Sequence, residues 1–510
     1  MLTPVTQSQW TRRTADHLLQ RAGFGGSPST RETFYQLGLQ QGIEAAVDSL
    51  VEPSENWDQH PWPEWSTEID PNGELGPSTG ERRYDIVRWY MNMLRNGQPL
   101  AGKILKFLVD HFAVNHDASR GEARFMNTLR FFDMLRKHAA GKEEGYGSFD
   151  TLLNHVSWSE SMIWTLDMYE SKANNINENF GRELLELFTL GVNGGYTEDD
   201  VGAAAEAFTG RKTYRHQSPV PDSYQWDPKY LAPEGMPRGA AYQNENQQDL
   251  LPKVMLGQSK TPGGSRITTG DDILAVIFAD IECAKHLTWK LWRYFVSSNP
   301  DAVLIEDLAT RFRDEHKYEI RPLLREIFLS QEFYDASVIG GQIKDAADSV
   351  ITFFNALEFD LTPPRATYNL LEQLNYNPIY PPNISGWAEP ESEGNEWMSS
   401  GALLFRINLP SVWIQQNRNV LNDSRSRDEI FAMPPVDFEK LAPPELRDLD
   451  NFPMLIAKLT DRFMPLVPLR KSQVRILYDQ YKKSSQRIDD DEALKELLVL
   501  VLALPQNQMQ

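Results

Sequence analysis

The chain is short of nearly everything that would mark a disulfide scaffold, a membrane span or a nucleic-acid binder. It has one cysteine, Cys283, so no intramolecular disulfide can form. Its longest apolar run, residues 497–504, is far too short to cross a bilayer. The opening residues, MLTPVTQSQWTRRTADHLL, hold no apolar stretch ahead of a cleavage site. No signal peptide is expected from them, and the cytoplasm is the default compartment, with export by another route left open. Basic residues are in deficit: 51 Lys and Arg against 72 Asp and Glu give a net charge of −21. That argues against a general phosphate-backbone binder and leaves room only for a local basic pocket. There is no G-x-S-x-G, no paired C-x-x-C, no Walker sequence, no complete dinucleotide fingerprint and no H-E-x-x-H.

What is present is the composition of a soluble globular protein, 41% hydrophobic and 24% charged over 510 residues, enough chain for a large core. Apolar residues recur at helical spacing through most of it, which predicts an all-α, multi-helical body. Expected helices include 31–50, 102–115, 122–139, 179–190, 198–208, 284–296, 342–357, 400–413 and 492–504. Three stretches break the pattern, at about 52–80, 211–270 and 378–399, and are read as long irregular insertions in a main domain over residues 1–415. Short β-hairpins could hide in the second of them. A polar, proline-rich linker is expected over 421–450 and a small helical unit over 451–510. Thirteen tryptophans are read mostly as core pieces. Those at Trp57–Trp65 and at Trp387 and Trp397 could line an approach to a site.

The segment NENFGRELLELFTLGVNGGYTEDDV, from Asn177 to Val201, carries the sharpest signal. On a helical wheel Phe180, Leu184, Leu187 and Phe188 share a face, and Glu183 falls inside the apolar arc. Asn179 and Glu186 flank it, with Arg182 next along. A carboxylate placed against a core is costly unless paired, hydrogen-bonded or metal-bound. Glu183 could therefore ligate a metal, act as an acid or base of raised pKa, or hold an internal ion pair with Arg21, Arg182 or Arg293. The Asn193-Gly194-Gly195 turn and the Thr197/Asp200 capping pattern need only structural roles.

Other candidates are His17 and Arg21, one helical turn apart in DHLLQRAGFGG, and His111 in KFLVDHFAVNHD, taken to share a helical face with Asn115. Asp167, upstream in WTLDMYESKANNINENF, is read as a metal ligand or as a cap to the loop before the key segment.

The motifs HLLQRAGFGGSP, DHFAVNHD, NINENFGRELLELFTLGVNGGYTEDDV, KLWRYFV, SQEFYDA and PPNISGW…EWMSSGALLFRIN occur in that order. Together they resemble the large bacterial family called domain of unknown function 1800. The resemblance implies a mainly helical protein and no settled activity. It also implies a neighbour, since members are often encoded beside a sulfatase-like family of exported proteins. The residues it carries over are His17, Arg21, His111, Asn179, Arg182, Glu183, Glu186, Trp387 and Arg406. Two positions depart from many relatives: Val109 and Gln248 stand where those have histidine.

Three functions follow as expectations. The first is an enzyme, a hydrolase or lyase, either unassisted or with a divalent metal on His111, Glu183 and Asp167. It would act on a cell-envelope or polysaccharide substrate, with Trp387 and Arg406 in binding. The second is a non-catalytic helical scaffold for the sulfatase-like partner, and the third a carbohydrate-binding helical toroid. Nucleic acid is not an expected partner.

Overall fold

The computed structural model describes residues 1–53, 61–66, 79–118, 123–213, 241–388, 399–415, 423–431, 433 and 435–510. Trp57 and Trp397 lie outside them. Helices dominate, as the periodicity predicts. The one regular sheet among the described residues is a two-stranded antiparallel ribbon, Arg211–Thr213 with Ala241–Gln243, in the stretch where a hairpin was thought able to hide. The chain forms two compact units, each discontinuous in sequence.

One unit comprises Met1–Leu2, Val51–Ile327 and Pro378–Trp387. Helices Thr79–Asn96, Pro99–His111 and Ala123–Ala140 pack against one another in it. Pro99 sits at the first helical position, where its missing N–H has no intrahelical acceptor to lose. Tyr90, Phe112, Phe125 and Phe132 are fully buried, and the Tyr90 and Phe132 ring centroids are 5.3 Å apart. Helix Pro99–His111 stops at His111, four residues short of the expected end, so His111 and Asn115 share no helical face.

Further along, Asn179–Glu183 packs on Glu198–Ala207. Gly181 allows this, because a Cβ there would lie 2.8 Å from the Val201 carbonyl oxygen and the Ala205 nitrogen. The second helix starts as its sequence predicts, with Thr197 and Asp200 exchanging side-chain bonds to backbone N–H groups.

The expected helix over 179–190 is not one α-helix. It is α-helical from Asn179 to Glu183 and then widens into a π-helix, Leu184–Thr189, with Leu190 N–H bonded to the Leu185 carbonyl at 3.0 Å. π-Turns of this kind are uncommon and are frequent at functional sites.

The other unit comprises Thr3–Leu50, Phe328–Asn377 and Ala388–Gln510. It holds helices Arg12–Arg21, Pro28–Gln41, Ala346–Leu357, Ser400–Ile414, Phe452–Phe463 and Asp490–Leu502. The expected helix over 31–50 is broken at Gly42, whose φ of 99° ends one helix before Ile43–Val51 begins. The C-terminal helices pack with earlier ones in this unit: Asp490–Leu502 on Ser400–Ile414, and Phe452–Phe463 on Ala346–Leu357.

Candidate functional site

The DHFAVNHD motif ends helix Pro99–His111 and touches three other motifs of the same unit. Asp110 Oδ1 accepts the Trp387 N–H at 2.8 Å, which fastens the SGW loop to the helix end. Gly386 must be glycine for this approach, since a Cβ would meet Asp110 at closer than van der Waals distance. The His111 Nε2 lies 3.3 Å from the Phe188 carbonyl of the π-helix. The Asn115 N–H reaches Thr165 Oγ1, in the WTLD segment, at 3.3 Å. The His116 N–H donates to the Ile379 carbonyl at 3.0 Å.

His111 is buried, and Lys290 Nζ lies 2.8 Å from its Nδ1. The ammonium must donate, so Nδ1 is the unprotonated nitrogen and Nε2–H donates to Phe188. Burial, then the charges of Lys290 and His286, push its pKa well below the ordinary histidine value. With both nitrogens engaged, His111 offers no lone pair to a metal or substrate in this arrangement.

The carboxylates are divided differently from the wheel's picture. Arg182 does meet the glutamates, but at the surface: it pairs with Glu198 at 2.7 Å, Glu178 at 3.5 Å and Glu186 at 3.7 Å. Tyr196 also hydrogen-bonds Glu186, and its hydroxyl is pushed up to about 12, first by burial and then by that carboxylate. Glu183 is half-buried rather than enclosed, and it makes no ion pair or hydrogen bond among the described residues. Burial, then the Glu186 charge, raise its pKa, and Arg182 offsets only part of this. Asn179 is exposed at the helix start. Asp167 takes the left-handed conformation, φ 54°, ahead of a short 3₁₀ turn and makes no side-chain cap bond to it. Its pKa is raised by burial and by Glu170. Among the described residues no group of three or more His, Cys, Asp or Glu could hold a metal ion, so His111, Glu183 and Asp167 do not form one.

His17, Arg21 and Arg406 belong to the other unit. His17 is fully buried, its Nε2 is 3.2 Å from the Phe333 carbonyl, and its Nδ1 has no partner. Burial and the nearby Arg21 lower it to about 3. Arg406 is buried and donates to the Lys344 carbonyl at 2.7 Å.

Sequence reasoning missed the strongest internal ion pair of that unit. Arg31 Nε and Nη2 grip Asp16 Oδ1 and Oδ2, each at 2.7 Å, with both side chains buried. Asp16 adjoins His17 in the chain, and on a wheel its apolar neighbours could have flagged it as they flagged Glu183. His116 and its arginine neighbours were also passed over.

A family model described as "Protein of unknown function (DUF1800)" matches residues 17–509, nearly the whole chain. The chain belongs to the DUF1800 family. No curated protein and no solved structure matches it. For this DUF1800 member no helix among the described residues is long and apolar enough to cross a membrane.

Proposed function

We propose that this DUF1800 protein is an acid–base enzyme, a hydrolase or lyase acting on a polysaccharide-type substrate, with Glu183 carrying the proton. The observation behind the reading is the split between two glutamates one helical turn apart. Glu186 is paired with Arg182 at 3.7 Å. Glu183 is half-buried, without an ion pair, and raised in pKa. A carboxyl whose proton affinity is raised by burial and a neighbouring charge is a candidate general acid. A protonated Glu183 would donate to a leaving oxygen, with the Arg182-paired Glu186 one turn along the same segment.

Glu183→Gln keeps the size of the side chain and removes its proton transfer. It should fold with an unchanged melting temperature and lose turnover on the substrate found in a polysaccharide panel. Retained turnover in this variant would sink the assignment.

The second reading is a scaffold, with a sulfatase-like protein as partner. It is favoured by the consumption of Arg182 and His111 in internal contacts. Under it no glycan is turned over, and a stoichiometric partner co-purifies from the native host.

A further inference from the structure

In a chain of net charge −21, a small cationic assembly stands out beside the DHFAVNHD motif. The guanidiniums of Arg83 and Arg124 converge on one oxygen, Asp117 Oδ1, at 3.1 and 2.9 Å. Each is fixed by an aromatic ring: Arg83 lies 5.4 Å from the Tyr380 centroid and Arg124 5.1 Å from that of Phe125. His116 lies between the same two rings, 5.8 Å from Tyr380 and 4.9 Å from Phe125. Among the described residues two positive charges thus meet one carboxylate oxygen.

The donor set is incomplete. Among the described residues Arg124 reaches Asp117 through Nη1 alone, and the buried Nε of each arginine has no hydrogen-bond partner. The Nε–Nη edge of a guanidinium is the one that grips a carboxylate or sulfate with two parallel bonds. The imidazole below is incomplete as well. Thr128 Oγ1 gives its proton to the Arg124 carbonyl at 2.9 Å, so it must accept from His116 Nδ1–H at 2.7 Å. Nε2 is then a lone pair with no donor among the described residues, on a side chain only 2% exposed. Buried polar atoms left open in this way call for an explanation. Tyr380 lies edge-on over the imidazole, and its displacement by a sugar ring would open that lone pair to a hydroxyl.

We infer that Arg83, Arg124 and His116 form a binding subsite for an acidic sugar, with the oxyanion on the arginine edges and a ring hydroxyl on His116 Nε2. The inference rests on the polysaccharide reading above and narrows its substrate to an anionic glycan.

The test is calorimetric titration of the full chain with a trigalacturonate probe, with inorganic sulfate and with maltotriose. Trigalacturonate should bind at least tenfold more tightly than sulfate, and maltotriose should not bind. Arg83→Gln and Arg124→Gln, checked for native circular dichroism and melting temperature, should each weaken trigalacturonate at least tenfold. Arg124→Lys, which keeps the charge and loses the fork, should be intermediate. No trigalacturonate binding at millimolar concentration, equal binding of sulfate, or wild-type affinity in both folded glutamine variants would each overturn the subsite. Binding without turnover in the wild-type protein leaves the subsite standing and removes the enzyme assignment alone.

Discussion

His17 sets a measurable limit on acid stability. It is fully buried and neutral, with a pKa lowered to about 3 by burial and by Arg21. In the unfolded chain an ordinary histidine titrates at about 6.5. A base whose folded pKa is depressed contributes its full stability above the unfolded value. That stability is lost as pH falls from about 6.5 towards about 3, because only the unfolded chain takes up the proton. Inside that window the loss is about 1.4 kcal/mol per pH unit, or about 2 kcal/mol between pH 7.5 and pH 5. His17→Gln keeps a donor for the Phe333 carbonyl and cannot titrate. It should cost stability at neutral pH and flatten the pH dependence by that slope. Urea denaturation of both proteins by circular dichroism, at half-unit steps from pH 7.5 to pH 5, reads the difference. Carboxylates titrate alike in both chains and cancel. Parallel curves for wild type and variant would refute the reasoning, since they would mean that His17 can be protonated in place.

Gly181→Ala should destabilise its unit by about 1–3 kcal/mol, because the new Cβ meets the backbone of Val201 and Ala205 with no side chain able to give way; thermal unfolding measures it. Asp110→Ala removes the acceptor of the Trp387 N–H and should cost about 1–3 kcal/mol while raising amide hydrogen exchange at Trp387. Lys290→Gln removes one of the charges that hold His111 down, so the imidazole should titrate at higher pH by NMR, still below an ordinary histidine because burial is the larger cause.

The helical class and the capping chemistry were legible because both are local. Thr197 with Asp200 acts within a few residues, and a single sequence displays such a pattern directly. Gly42 was a local signal read too weakly: glycine inside a helical pattern costs only about 1 kcal/mol, so it did not end the expected helix. The partners were not legible. Asp16 finds Arg31, Asp110 finds Trp387, and His116 finds Tyr380 across turns and long loops, and no periodicity encodes those meetings. The family's motifs could be ordered along the chain, but the convergence of DHFAVNHD with the SGW loop, the WTLD segment and the π-helix is a property of the fold.

The key segment shows where helical-wheel reasoning stops working. A wheel assumes about 100° per residue, and a π-turn holds one residue more than an α-turn. The wheel holds as far as Leu184 and drifts beyond it. Leu187, expected on the apolar face with Phe180, Leu184 and Phe188, is only half-buried, while Leu185 is wholly buried. A π-helix leaves backbone carbonyls in need of donors, and here histidines on other helices supply them. His111 bonds the Phe188 carbonyl and His286 that of Leu187. Gly191 makes room for His286, since a Cβ there would lie 2.6 Å from its Nδ1. His111 thus bonds the widened helix, and within that segment Glu186 is paired with Arg182 while Glu183, one turn before, has no ion pair among the described residues.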